Sequence, residues 1–211
     1  MDADRTPGPL LNLEGLPSPL WVLGTGTGVG KTFVSARIAR AWARGGPVTY
    51  RKPFQTGVDR ADHPEADGRV VGGPGVAVES HVLLRAPLSP LAAARREGRV
   101  LDPADTARWC LRPAEGRILL EGVGGLMVPL APRVHFLAWA TELKVPCVLV
   151  ALGGLGTLNH TLLSAEALML RGWRIEAVLL NPGADGTPPE VAEENAGLLR
   201  QFLPLAVHVL D

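Results

Sequence analysis

The chain has 211 residues, 46% of them apolar, and its 21 lysines and arginines balance its 21 aspartates and glutamates. That length can bury one sizeable core and is short for two. Zero net charge without a basic block gives no electrostatic capture of nucleic acid or an anionic membrane, so neither partner is expected.

The N-terminal stretch carries Asp2, Asp4, Arg5 and three early prolines, and it lacks the apolar core of a signal peptide. Residues 1 to about 18 are therefore expected as an extended or mobile lead-in, ahead of a single domain over 19–211. No apolar run reaches transmembrane length. Cys110 and Cys147 lie far apart in apolar settings. They are expected as buried free thiols, consistent with a reducing cytoplasm.

The first regular element is the apolar run Leu20 to Leu23, a strand. It runs into Gly24-Thr25-Gly26-Thr27-Gly28-Val29-Gly30-Lys31-Thr32, and an amphipathic helix follows. Strand, glycine-rich loop and helix in that order make a phosphate-binding loop. The glycines let backbone N–H groups converge on an anion. Lys31 offers a cation to the outer phosphates, and Thr32 offers a hydroxyl to Mg²⁺. The first glycine stands one place earlier than in the common spacing, so the loop is a variant form. A glycine turn made only for tight strand–helix packing is the alternative, and the Gly-Lys-Thr triplet argues against it.

Val34, Ile38 and Ala41 continue the helix until Gly45-Gly46 stops it. Val48 to Tyr50 reads as a short buried strand ending at Arg51-Lys52-Pro53. Gly57 to Gly75 reads as loop with a helical piece near Asp67. Ser89-Pro90 opens a helix with Ser89 as N-cap, and Gly98 ends it. Asp102-Pro103 opens another, running through Leu111. Arg117 to Glu121 is a buried strand leading into Gly122-Val123-Gly124-Gly125. Cys147 to Leu152 is a further strand, followed by a helix from about Asn159 to Arg171. Ile175 to Leu180 is a strand ending at Asn181-Pro182. Thr187-Pro188-Pro189-Glu190 has the pattern of a capping box before the last long helix, and Val207 to Leu210 forms a closing strand. Continuously apolar strands alternating with helices predict an α/β fold with a mostly parallel sheet covered on both faces. Ligands then gather at the carboxyl ends of the strands, where the glycine-rich segments fall.

Three further positions bear on chemistry. Glu121 ends a strand beside a glycine run, where a carboxylate can reach Mg²⁺. The alternative is a solvent-facing residue at a strand end. Lys52 follows the second strand, where it could neutralise a transferred phosphate; a solvated surface charge is its alternative. Asp59, Asp62, His63 and Asp67 lack the order of a known metal motif, so spacing alone makes them a polar loop. His160 is read as an ordinary helix-start residue, not a general base.

Several segments together resemble the dethiobiotin synthetase family. They are the phosphate loop, Arg51-Lys52-Pro53-Phe54-Gln55-Thr56-Gly57, Ser89-Pro90 with Glu97-Gly98-Arg99, and Glu121 to Gly125. Leu155-Gly156-Thr157-Leu158-Asn159-His160 and Asn181 complete the set, in the family's order from about Leu20 to Leu205. The resemblance implies a P-loop NTPase-like fold with about seven mostly parallel strands that dimerises, and the substrates ATP, CO₂ and 7,8-diaminononanoate. By resemblance, a substrate amine captures CO₂ as a carbamate, ATP phosphorylates it, and the second amine closes the ring. Gly28, Val29, Gly30, Lys31, Thr32 and Phe33 would then hold the phosphates, and Thr32, Asp67 and Glu121 would hold Mg²⁺. Lys31, Lys52 and Thr27 would act in catalysis. Thr56, Gly124 and Gly125 would help place substrate. Gly156, Thr157, Leu158 and Asn159 would bind the substrate carboxylate across the dimer, and Asn181 the adenine.

The sequence departs from the family at three places. Gly26 stands where an aspartate is common, and Pro182 follows Asn181. The closing Pro204-Leu205-Ala206-Val207-His208-Val209-Leu210-Asp211 replaces a base-contacting continuation. Phosphate handling is therefore better specified than the choice of nucleotide. Among rival readings, a GTPase lacks its Asn-Lys-x-Asp motif here, and an amidating ligase lacks its glutamine-hydrolysing domain. A dimerising ATPase switch of the partitioning type is the alternative from another class.

Overall fold

A computed structural model describes residues 11–211. Its centre is a seven-stranded sheet. The strands are β1 (Leu20–Gly24), β2 (Val48–Thr56), β3 (Val76–Leu84), β4 (Arg117–Glu121), β7 (Cys147–Leu152), β8 (Ile175–Asn181) and β9 (Val207–Val209), in the order β3-β2-β4-β1-β7-β8-β9. Every ladder in it is parallel. β5 (Pro129–Ala131) and β6 (Val134–His135) form a separate antiparallel pair.

The two faces of the sheet separate by alternation along each strand. In β1, Leu20 and Val22 face α1 (Lys31–Ala43), packing with Val34, Ile38 and Trp42. Trp21 and Leu23 face the opposite way. That second face is covered by α3 (Pro90–Arg96), α4 (Pro103–Leu111), α5 (Phe136–Thr141), α6 (Thr157–Met169) and α7 (Pro189–Phe202). Trp21 meets Phe136 and Trp139 edge-to-face, with ring centroids 5.4 and 6.1 Å apart. Such contacts add to the burial of large apolar rings.

Two regions differ from the sequence expectation. β2 runs six residues beyond Tyr50 and pairs with β3, which the sequence reading passed over. β3 lies at the sheet edge and is only partly buried, so its Val-Ala-Val-Glu-Ser-His run lacks the continuous apolar signal of an inner strand. The β5–β6–α5 segment likewise carries no sequence signal of its own. Its pieces are three, two and six residues long, too short for periodicity to register.

Two capping expectations also change. Ser89 flanks α3 without a side-chain cap bond. The Thr187 hydroxyl donates to Asp185 Oδ1 at 2.6 Å and is thereby taken from α7, whose N-cap is Pro188, so no capping box forms. Asp102 does cap α4, accepting from the Ala104 and Asp105 amides.

Of the lead-in expected over 1–18, residues 1–10 lie outside the described residues. From Leu11 on, the chain packs on the α1 face. Leu16 is buried, the Trp42 indole donates to Leu13 O at 2.8 Å, and Arg117 donates to Glu14 O at 2.8 Å. Both cysteines are free and buried; burial pushes the Cys110 thiol up to about 12 and Cys147 higher still. Among the described residues, no helix is long and apolar enough to cross a membrane.

Candidate active site

The loop after β1 turns through two left-handed glycines, Gly28 (φ 77°) and Gly30 (φ 96°). Gly30 also tolerates no side chain: a Cβ there would stand 1.9 Å from Asn181 Nδ2. The close approach lets Asn181, at the end of β8, donate to Val29 O at 3.1 Å. α1 starts directly at Lys31, and its first backbone bond runs from Val34 N to Gly30 O. The amides of Lys31, Thr32 and Phe33 consequently have no helical acceptor and carry the positive end of the helix dipole. The Phe33 ring itself is exposed, with the Arg37 guanidinium over it.

A cleft of about 640 Å³ opens at the carboxyl ends of β1, β2 and β4. It is lined by Thr27, Gly28, Gly30, Lys31, Thr32, Lys52, Thr56, Asp67, Glu121 and Gly124, together with Gln55, Glu65, Leu88 and Ser89. Parallel strands bring these distant segments to one edge. Within the cleft, the Lys52 ammonium lies 2.6 Å from Glu121 Oε1 and 2.6 Å from Asp67 Oδ2. It also donates to Gly122 O at 3.1 Å. Thr32 Oγ1 donates to the same Glu121 oxygen at 2.9 Å, and the Tyr50 hydroxyl donates to Oε2 at 3.0 Å. Glu121 is 1% exposed and Lys52 is 4% exposed. Neither is the solvated residue that the bland alternative described.

The electrostatics follow from this packing. Burial alone would lower the Lys52 pKa, but the Glu121 and Asp67 carboxylates outweigh it and hold the ammonium above its ordinary value. Lys31 goes the other way. Burial, and then the positive charge of Lys52, pull it down to about 8. Its Nζ donates to Gly26 O at 2.8 Å and to Gly124 O at 2.9 Å, folded back across its own loop.

Asp67 opens α2 (Asp67–Val71), so the residue that spacing assigned to a polar loop enters the cleft. Its neighbours do not: Asp59 and Asp62 pair with Arg60 at the surface. The Glu121 and Asp67 carboxylates converge on the Lys52 cation and the Thr32 hydroxyl binds the first of them; oxygens of these kinds are the hard donors Mg²⁺ prefers. Among the described residues, no group of three or more Asp, Glu, His and Cys side chains could hold a metal ion.

Other expected residues lie elsewhere. Gly125 abuts Thr25 O and lines a neighbouring apolar cleft with Met127, Leu163 and Leu170. Gly156 is left-handed (φ 88°) and starts α6, while the Thr157 side chain is spent on Leu152 O at 2.6 Å. Leu158 is half-buried and Asn159 exposed, and within one chain neither lines the lysine cleft. Leu155, at the tip of this turn, is fully exposed.

A sequence profile described as an AAA domain matches residues 19–208. The ATP-dependent dethiobiotin synthetase BioD of Methylobacterium nodulans is 39% identical over 196 residues, covering 84% of this chain and 87% of that protein. The chain belongs to the dethiobiotin synthetase family. The synthetase of Anaeromyxobacter sp. (strain Fw109-5) is 37% identical over 203 residues, 91% of each chain. Among solved structures, the cell division ATPase MinD of Pyrococcus furiosus matches with a TM-score of 0.54 at 20% identity, over 89% of this chain and 81% of that one. That likeness shows the P-loop fold alone. The family is one of ATP-using ligases of biotin synthesis, and its lysine–proline and Glu-Gly-x-Gly-Gly segments are those that meet in the cleft.

Tyr50 is a site residue that the sequence motifs do not include. A usable signal was present: Tyr50 and Lys52 are two apart on one strand and so share a face.

Proposed function

We propose that the chain converts 7,8-diaminononanoate, CO₂ and ATP into dethiobiotin, ADP and phosphate. The observation that carries this reading is the buried Lys52–Glu121–Asp67 cluster beside a phosphate loop, in a chain of this family. One substrate amine adds to CO₂ and loses a proton, giving a carbamate. A carbamate oxygen then attacks the γ-phosphorus as ADP leaves. The second amine attacks the resulting mixed anhydride and loses a proton, phosphate leaves with the bonding pair, and the cyclic urea closes.

Positioning and charge neutralisation carry most of such a phosphoryl transfer. The free amides of Lys31, Thr32 and Phe33, with Gly28 to Gly30, cradle the phosphates. Lys31 leaves its two glycine carbonyls for the outer phosphates. Lys52 stands where the carbamate and γ-phosphate oxygens gather charge. Thr32, Asp67 and Glu121 would hold Mg²⁺, which would supply charge neutralisation on the phosphate oxygens. Thr27, Thr56 and Gly124 line the substrate side. Asn181 donates to Val29 O through its Nδ2, which leaves its Oδ1 as the acceptor for an adenine amino group.

The Gly156–Asn159 turn of a second copy of the chain completes the site, with Gly125 beside Gly124 helping to place substrate. The exposed Leu155 and the apolar cleft of Met127, Leu163 and Leu170 support that dimer.

The test is mass spectrometry of a reaction holding the protein, ATP, Mg²⁺, bicarbonate and 7,8-diaminononanoate. A dethiobiotin mass that depends on ATP is the expected result. ATP binding without product, beside a working control enzyme, would favour a nucleotide-dependent switch instead.

A further inference from the structure

Glu121 has three donors on two oxygens. Thr32 and Lys52 share Oε1, and Tyr50 alone holds Oε2. Thr32 and Lys52 line the cleft and have ligands to turn to when nucleotide enters; Tyr50 is fully buried and lies outside the cleft lining. We infer that Tyr50 is a positioning residue that fixes the rotation of the Glu121 carboxylate and so presents Oε1 to the metal. The inference rests on the reading of Glu121 as a metal-holding group.

Its chemistry is that of an outer partner to a metal ligand. A carboxylate held at one oxygen keeps the other aimed, and loss of such partners costs metal affinity on the order of 10- to 100-fold. Tyr50 suits the part because its buried hydroxyl donates to Glu121 Oε2 at 3.0 Å from a ring held in the core. The strand supplies the aim. Tyr50 pairs with Leu119 and Arg51 with Leu120 in the ladder, so Tyr50 and Lys52 lie on one face along the end of β4, both reaching Glu121.

The direct test is Tyr50→Phe, which keeps the ring and removes the bond. Mn²⁺ serves as probe, its binding to the protein–ADP complex read from the loss of the free-ion electron paramagnetic resonance signal. Expected is an increase of about 10- to 100-fold in the Mn²⁺ dissociation constant. ADP affinity in chelator should stay within about twofold, since the phosphate loop keeps its own donors. The Mg²⁺ concentration for half-maximal turnover should rise with it, while turnover at saturating Mg²⁺ largely returns. A purely packing role would lower stability without moving the metal constant. Unchanged Mn²⁺ binding in Tyr50→Phe, beside weakened binding in Glu121→Gln, overturns the inference and leaves the metal reading standing. Unchanged binding in Glu121→Gln overturns both.

A second measurement avoids any substitution that could fail to fold. Tyr50 is the only tyrosine in the chain, so uniform 3-fluorotyrosine labelling places one fluorine reporter beside Glu121. Its resonance should shift when Mg²⁺ is added to the ADP complex and return with chelator. A resonance indifferent to Mg²⁺ speaks against Tyr50 as the partner of a metal-holding carboxylate.

Discussion

Lys52 Nζ lies 2.6 Å from Glu121 Oε1, an ion pair between two side chains that are almost wholly buried. Each partner makes the other tolerable in the interior. Removing one from such a pair leaves an uncompensated charge and costs about 3–5 kcal/mol. Lys52→Ala is therefore expected to abolish turnover and to lower the urea midpoint, with ATP affinity little changed. Turnover near the parent rate, assayed well below the unfolding transition, would remove Lys52 from the mechanism.

Lys31 should report its depressed pKa in two ways. Between about 8 and 10.5 the unfolded chain binds more protons at this residue than the folded one, so the nucleotide-free protein gains stability from it as pH rises through that window. Phosphate binding favours the ammonium, so nucleotide binding should take up protons above pH 8 and weaken as pH rises further. Calorimetry of ADP binding in buffers of different ionisation enthalpy reads this directly. Zero proton uptake at pH 8.5 would count against it. Lys31→Ala should weaken binding and catalysis together, because one cation serves both.

Gly30→Ala should lose nucleotide binding. The new Cβ would collide with Asn181 Nδ2 and sit on a backbone with φ 96°, so the loop has to leave its anion-binding shape. The core is untouched, and a destabilisation of only about 1–2 kcal/mol is expected. Equilibrium dialysis with ATP and a urea titration separate the two effects.

Arg51 predicts the opposite pattern. Its guanidinium is fully buried, pairs with Glu79 at 2.7 Å and donates to Cys110 O and Arg112 O. Arg51→Met should cost several kcal/mol of stability, by the loss of buried charged hydrogen bonds, while the nucleotide affinity of the folded fraction holds. Denaturant unfolding read beside nucleotide titration checks it.

The proposed sharing of the site between two copies has a mixing test. Lys52→Ala and Asn159→Ala chains, each inactive alone, should regain about a quarter of the parent rate when unfolded and refolded together in equal amounts. Half the dimers are then mixed, and each carries one intact site. No recovery would place Asn159 and Lys52 in one chain's site or outside the site altogether.

Much of this could be read from the sequence. The phosphate loop, the Arg117–Glu121 and Cys147–Leu152 strands and the parallel α/β class are local signals: apolar runs, glycine spacing and strand–helix alternation. The same local signals put Lys31 and Thr32 at the cleft, because the loop that carries them is contiguous. What the sequence left open lies across space. Lys52 and Glu121 are 69 residues apart and Tyr50 and Glu121 are 71, so whether each carboxylate oxygen faces water or a donor depends on β2 and β4 lying side by side. Spacing made Asp67 a loop residue; the fold turned it into the second carboxylate on Lys52, because α2 packs against β2 at the end where the lysine emerges. Even β3 is a strand by virtue of its partner, its edge position leaving one side wet and its pattern too mixed to announce itself. Sequence fixes a chemistry wherever the backbone alone brings its atoms together. Where the atoms meet through packing, burial and register decide which charges are paired, and only the tertiary structure supplies them.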